Sequence, residues 1–144
     1  MILIAPHARA MRNGKPHPKE YPYWDELLEL LKDKEIVQVG VASEVALVPD
    51  FRPNLPLSEL AKLIAMCETW IAIDSFFQHF CWSLGKPGIV LFGQSDPLIF
   101  GHPENVNLLK DRSYLRERQF WQWEQAENRP EAFVEPIRII EILP

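Results

Sequence analysis

Short apolar runs alternate with longer amphipathic segments along the whole chain. ILIAP at the N-terminus, EIVQVG (35–40), TWIAID (69–74) and GIVLF (88–92) are rich in β-branched residues and end at turn-forming or polar positions. Such runs predict strands buried on both faces. ENVNLL (104–109) predicts a last strand, and VALVPDF (45–51) a shorter one at the sheet edge. Between the strands, PYWDELLELLKD (22–33) spaces Trp24, Leu27, Leu28, Leu30 and Leu31 at helical intervals, with Pro22 near the first turn, where its missing N–H costs little. PLSELAKLIAMC places Leu60, Ala61, Leu63, Ile64 and Cys67 on one helical face, with Ser58 as the expected cap. A further helix-length segment follows Asp74-Ser75 and is broken by Gly85-Lys86-Pro87. In the tail, residues of about 118–126 and 135–143 predict two helices around Asn128-Arg129-Pro130. Phe120, Trp121 and Trp123 in the first of them are expected to anchor it onto the core.

Strands alternating with helices predict an α/β fold of three layers, a mainly parallel sheet with helices on both faces. The 144 residues, 47% of them hydrophobic, suit one domain over 1–144 with a core of its own. HARAMRNGKPHPKEYP, after the first strand, is a long loop of the kind that carries function.

A net charge of −5 gives no basic footprint, which argues against nucleic acid as a partner. Cys67 and Cys81 fall inside apolar segments away from any metal-ligand spacing, so both are expected to be buried free thiols and no metal site is expected. No apolar stretch is long enough to cross a bilayer, and the N-terminus lacks the basic region of a leader; a cytoplasmic protein is the expectation.

Parallel sheets bind ligands at the carboxyl ends of their strands. Polar clusters follow four of the predicted strands: His7 to Lys19, Gly40 to Glu44, Asp74 to His79, and Gly93-Gln94-Ser95-Asp96-Pro97. The residues fit two readings. Asp74 and Ser75 stand where a helix begins, so its unpaired N–H groups and dipole suit a phosphate, with the Ser75 hydroxyl as an added donor and His79 one turn on. They are equally the capping residues that any strand-to-helix turn contains. Glu44 suits a ribose hydroxyl or the start of a short helix, and Lys19 suits a phosphate or plain solvent.

Taken together, the clusters resemble the C-terminal, donor-binding half of glycosyltransferase family 9, the heptosyltransferases. That family's most characteristic stretch runs from a strand ending in Asp through Ser or Thr, Gly, two variable residues and His, then a helix of small residues, Gly-Lys-Pro, a strand and Gly-Pro-Thr-Asp-Pro. The same order reads here as Asp74, Ser75, Phe76, Phe77, Gln78, His79, then Gly85-Lys86-Pro87, GIVLF and Gly93-Gln94-Ser95-Asp96-Pro97. KEYPYWDELLELL resembles the segment whose lysine reaches the donor diphosphate, which gives that place to Lys19. Glu44 falls where such enzymes hold the ribose.

The resemblance implies the Rossmann-like C-terminal half of a GT-B glycosyltransferase, and a nucleotide diphosphate sugar bound without a metal or other cofactor. The implied substrate-binding residues are Lys19, Glu44, Asp74, Ser75, His79, Ser95 and Asp96. Two departures bear on activity. The glycine after Asp-Ser is Phe76 here, and a glycine at that point lets backbone N–H groups approach a phosphate. The acceptor-binding half, which in the family supplies the catalytic base, lies outside the resemblance. Three expectations follow. The first is inverting sugar transfer once a partner chain supplies the acceptor side. The second is an inactive binding or assembly protein, a homodimer or a complex through the face of the missing half. The third and weakest is a hydrolase with Asp74, Asp96, His7 or His79 as its base.

Overall fold

In the computed structural model, which describes residues 1–144, successive strand residues point to opposite faces and fill two separate cores. The strands are β1 (Ile2–Ala5), β2 (Ile36–Gly40), β3 (Phe51–Pro53), β4 (Thr69–Ile73), β5 (Ile89–Phe92) and β6 (Val106–Leu109), in spatial order β3-β2-β1-β4-β5-β6. Every pairing is parallel, with Ala5 opposite Ala72 and Ile4 opposite Gln38. The sheet is therefore wholly parallel, as both-face burial of its apolar runs requires.

On one face, Leu3, Val37, Trp70, Ala72, Val90 and Phe92 pack against α2 (Leu57–Met66) and α3 (Phe76–Ser83). On the other, Ile2, Ile4, Ile71, Ile73, Ile89 and Leu91 pack against α1 (Trp24–Leu30) and α5 (Pro136–Ile142), with Phe133 between them. Burial of each such side chain is worth about 1.5–3 kcal/mol, so the two faces hold the three layers together. Two glycines make this packing fit. A Cβ at Gly88 would strike the Trp70 ring, and one at Gly93 would lie within 2.8 Å of three Phe133 ring carbons. Both cysteines are buried and free, as expected, and burial raises the Cys81 thiol pKa.

Four local expectations are corrected. The edge strand is Phe51–Pro53 and not 45–51. The buried Gln38 amide donates to Val45 O (2.9 Å) and accepts from Leu47 N (2.6 Å), which takes those backbone groups away from a ladder, and Pro49 has no N–H to give. Ser58 is not a cap, because α2 starts earlier, with Pro56 O accepting from Glu59 N and Leu60 N. Residues 118–126 form no α-helix but irregular backbone with one 3₁₀ turn at Trp123–Gln125. Phe120 and Trp121 are accordingly exposed and Trp123 half-buried; the tail enters the core through Ala132, Phe133 and Ile139 instead.

Candidate functional site

Because β1 and β4 are neighbours at the centre of the sheet, the loops after β1, β2 and β4 converge at the carboxyl edge. They enclose a cavity of about 540 Å³. Its lining includes Lys19, Glu44, Asp74 and Ser75, four of the residues singled out from the sequence. The end beyond β2 and β3 is mostly apolar, walled by Val39, Val41, Leu55, Leu57 and Leu60 together with Arg52 and Asn54, whereas the end at β4 carries the Lys19 and Asp74 charges.

The charged end is built on Asp74, 3% exposed at the tip of β4. Gln78, one turn into α3 and fully buried, donates from Nε2 to Asp74 Oδ1 (2.7 Å). Lys19 Nζ lies 3.0 Å from Asp74 Oδ2. A buried carboxylate needs such partners, since desolvating it alone costs several kcal/mol. Directly beyond, α3 starts from Ser75 in extended backbone with no side-chain cap. The N–H groups of Phe76, Phe77 and Gln78 find no backbone or side-chain acceptor in the chain. Ser75, Phe76 and Phe77 line the cavity and Gln78 does not, so the free donors of Phe76 and Phe77 and the positive end of the helix dipole stand at its wall.

Phe76 occupies this wall without filling it. Its ring is 62% exposed and stacks on Phe80 one turn along the helix, at 5.7 Å between centroids and 15° between planes.

Glu44 reaches back from its loop so that its carboxylate lies over Gly40, where any Cβ would collide with it. Burial raises its pKa. His7 closes the same side. Its Nε2 is 2.9 Å from Val45 O and its Nδ1 is 3.2 Å from Glu20 Oε2, while Glu20 Oε1 accepts from Ala8 N. A carbonyl only accepts, so Nε2 carries a proton, and the carboxylate favours a second on Nδ1. The Glu20 hydrogen bond accordingly raises the His7 pKa, against the opposing effect of burial.

The remaining predicted residues stand elsewhere. His79 is exposed on α3, outside the cavity lining, where Nδ1 shares a 2.7 Å hydrogen bond with His102 Nε2; burial and then the neighbouring His102 lower its pKa. Ser95 and Asp96 are buried in the turn after β5, also outside the lining. Asp96 caps α4 (Pro97–Phe100) at Leu98 N and takes both Arg112 nitrogens, at 3.0 and 2.8 Å. Its oxygens are thus committed within the fold. Gln78, the fixed partner of Asp74, was missed: an i, i+4 glutamine inside an apolar helix carries a signal only once the Asp is known to be buried. No group of three or more His, Cys, Asp or Glu residues lies close enough to hold a metal ion, and no helix is long and apolar enough to cross a membrane.

Residues 1–122 match the pattern that defines the family described as Glycosyltransferase family 9 (heptosyltransferase). The chain belongs to glycosyltransferase family 9. Among curated relatives, lipopolysaccharide heptosyltransferase 1 of Salmonella typhimurium is 33% identical over 57 residues, which are 39% of this chain and 18% of that protein. Among solved structures, the dodecameric iron-containing heptosyltransferase TibC, in complex with ADP-D-beta-D-heptose, superposes with a TM-score of 0.60 at 14% identity. That match covers 94% of this chain and 35% of TibC, and it shows the fold. The chain spans about a third of the length of TibC.

Proposed function

We propose that this family 9 domain binds a nucleoside diphosphate sugar in the cavity at the carboxyl edge of its sheet. The observation that carries the reading is one continuous cavity joining an apolar slot and Glu44 to the Lys19–Asp74 pair and the unpaired N–H groups of α3. The slot between β2, β3 and α2 suits a nucleobase, Glu44 suits the ribose hydroxyls, and the start of α3 with Lys19 suits the diphosphate. ADP-D-beta-D-heptose in the related TibC supports the same class of ligand.

The reaction is inverting glycosyl transfer, with an acceptor side and a general base supplied from outside these residues, by a partner chain or a further domain. As the bond to the sugar breaks, charge grows on the leaving diphosphate, and the helix N–H groups with Lys19 are already aimed at it. Asp96 has both carboxylate oxygens engaged by Arg112, and His79 Nδ1 is shared with His102 outside the cavity lining, which counts against either as a hydrolytic base there.

One observation favours a second reading, an inactive binding or assembly protein: the exposed Phe76 ring at the cavity wall, where the family pattern has glycine. Calorimetric titration of the protein and its Lys19→Met variant with ADP, UDP, GDP and CDP separates the two. Binding of one nucleotide, weakened in the variant, supports the donor site. Failure of all four at millimolar concentration overturns it in favour of the second reading.

A further inference from the structure

Three groups surround the Lys19 ammonium, one carboxylate and two aromatic rings. Besides the Asp74 carboxylate, Nζ stands 5.1 Å from the centroid of Trp123 and 5.7 Å from that of Phe100. Trp123 is itself held: the Arg116 guanidinium lies 4.0 Å from its centroid, and the His17 ring is 5.5 Å away at 43°. The segment around it is tied down on two sides. Asn128 Nδ2 donates to His17 O (3.1 Å) and Glu20 O (3.0 Å), the two residues that bracket the Lys19 stretch, and Gln94 Nε2 donates to Glu127 O (2.6 Å). Trp123 falls just beyond the residues that match the family pattern.

We infer that Trp123 is a positioning residue whose ring holds the Lys19 ammonium beside Asp74, at the edge of the diphosphate site. A lysine on a four-carbon stem is a mobile point charge, and an aromatic face within about 6 Å attracts and confines it. Confinement before the ligand arrives removes an ordering cost from binding. The part of this inference that concerns the diphosphate rests on the nucleotide reading above; the hold of Trp123 on Lys19 does not.

The first test needs no ligand. In protein labelled with ¹³C-lysine, the Lys19 Hε resonances are expected upfield of the other lysines because of the aromatic ring current, to move toward them in Trp123→Leu, and to keep part of the shift in Trp123→Phe. The second test is a double-mutant cycle read by affinity for whichever of ADP, UDP, GDP and CDP binds. Trp123→Leu weakens binding by about threefold to thirtyfold, the range of a cation–π contact, and adds little in a Lys19→Met background. An unchanged Lys19 resonance in both Trp123 variants overturns the inference, as does equal weakening in both backgrounds, which would mean that Trp123 acts on the fold or on the ligand itself. If the shift follows Trp123 but ADP, UDP, GDP and CDP all fail to bind, the nucleotide reading falls and the hold of Trp123 on Lys19 is upheld.

Discussion

Lys19, from the long loop after β1, and Asp74, at the tip of β4, meet at 3.0 Å because those two strands lie side by side in the sheet. The two partners differ in burial, with side chains 21% and 3% exposed. Removing them therefore has unequal effects. Lys19→Met leaves a buried carboxylate with Gln78 alone and is expected to cost about 3 kcal/mol, the lower end for a broken buried pair. Asp74→Asn lets the lysine turn to water and costs about 1 kcal/mol. The double variant should resemble Asp74→Asn. Urea unfolding of the three variants checks this order.

Phe76→Gly restores the residue type of the family pattern at the first turn of α3. Loss of the Phe80 stacking contact and of helix propensity is expected to lower stability by about 1 kcal/mol. Access of a phosphate to the free N–H groups improves, so nucleotide affinity rises. Paired thermal melts and calorimetric titrations measure the two effects, and a fall in affinity would contradict the phosphate assignment.

Gly40→Ala tests Glu44. The added methyl displaces the end of a flexible side chain and not backbone, so stability changes by about 1 kcal/mol or less. Affinity for a nucleoside diphosphate is expected to fall, while that for inorganic pyrophosphate, which has no ribose, stays the same. Parallel titrations with the two ligands give the comparison.

Much of the frame was legible from pattern alone. Five of the six strands stand where they were expected, four of them on β-branched runs that suit burial on both faces and the fifth, β6, on ENVNLL, which is only partly buried. The shift of the edge strand to Phe51–Pro53 was not legible, since it depends on a single buried amide, Gln38, taking the backbone of Val45 and Leu47. Of the residues singled out, Lys19, Glu44, Asp74 and Ser75 line one cavity. His79 stands outside it because the helix turns its ring toward His102, and Trp123 joins Lys19 only through the fold of an irregular tail whose aromatics alone suggest a core helix.

The His7 clasp gives a pH dependence. Its folded pKa is raised above the ordinary 6.5, chiefly by the Glu20 hydrogen bond, so its stabilisation is full below that ordinary value and is lost as pH rises through the raised one. His17 and His79 work in the opposite sense: their folded pKa values are lowered, mainly by burial, so they cost stability as pH falls below 6.5. NMR titration of His7 should give a midpoint above 6.5, and Glu20→Gln should bring it down. An unchanged midpoint would mean that Glu20 does not hold the proton.

The central claim is that a diphosphate docks on the free N–H groups at the start of α3. The most direct measurement is the ¹⁵N–¹H amide spectrum of the protein titrated in turn with ADP, UDP, GDP and CDP. The largest perturbations are expected at Phe76 and Phe77, with smaller ones at Gly40 and Val41 near the ribose side. Perturbations confined to the turn at Gln94–Asp96, or no perturbation with any of ADP, UDP, GDP and CDP at millimolar concentration, would contradict it.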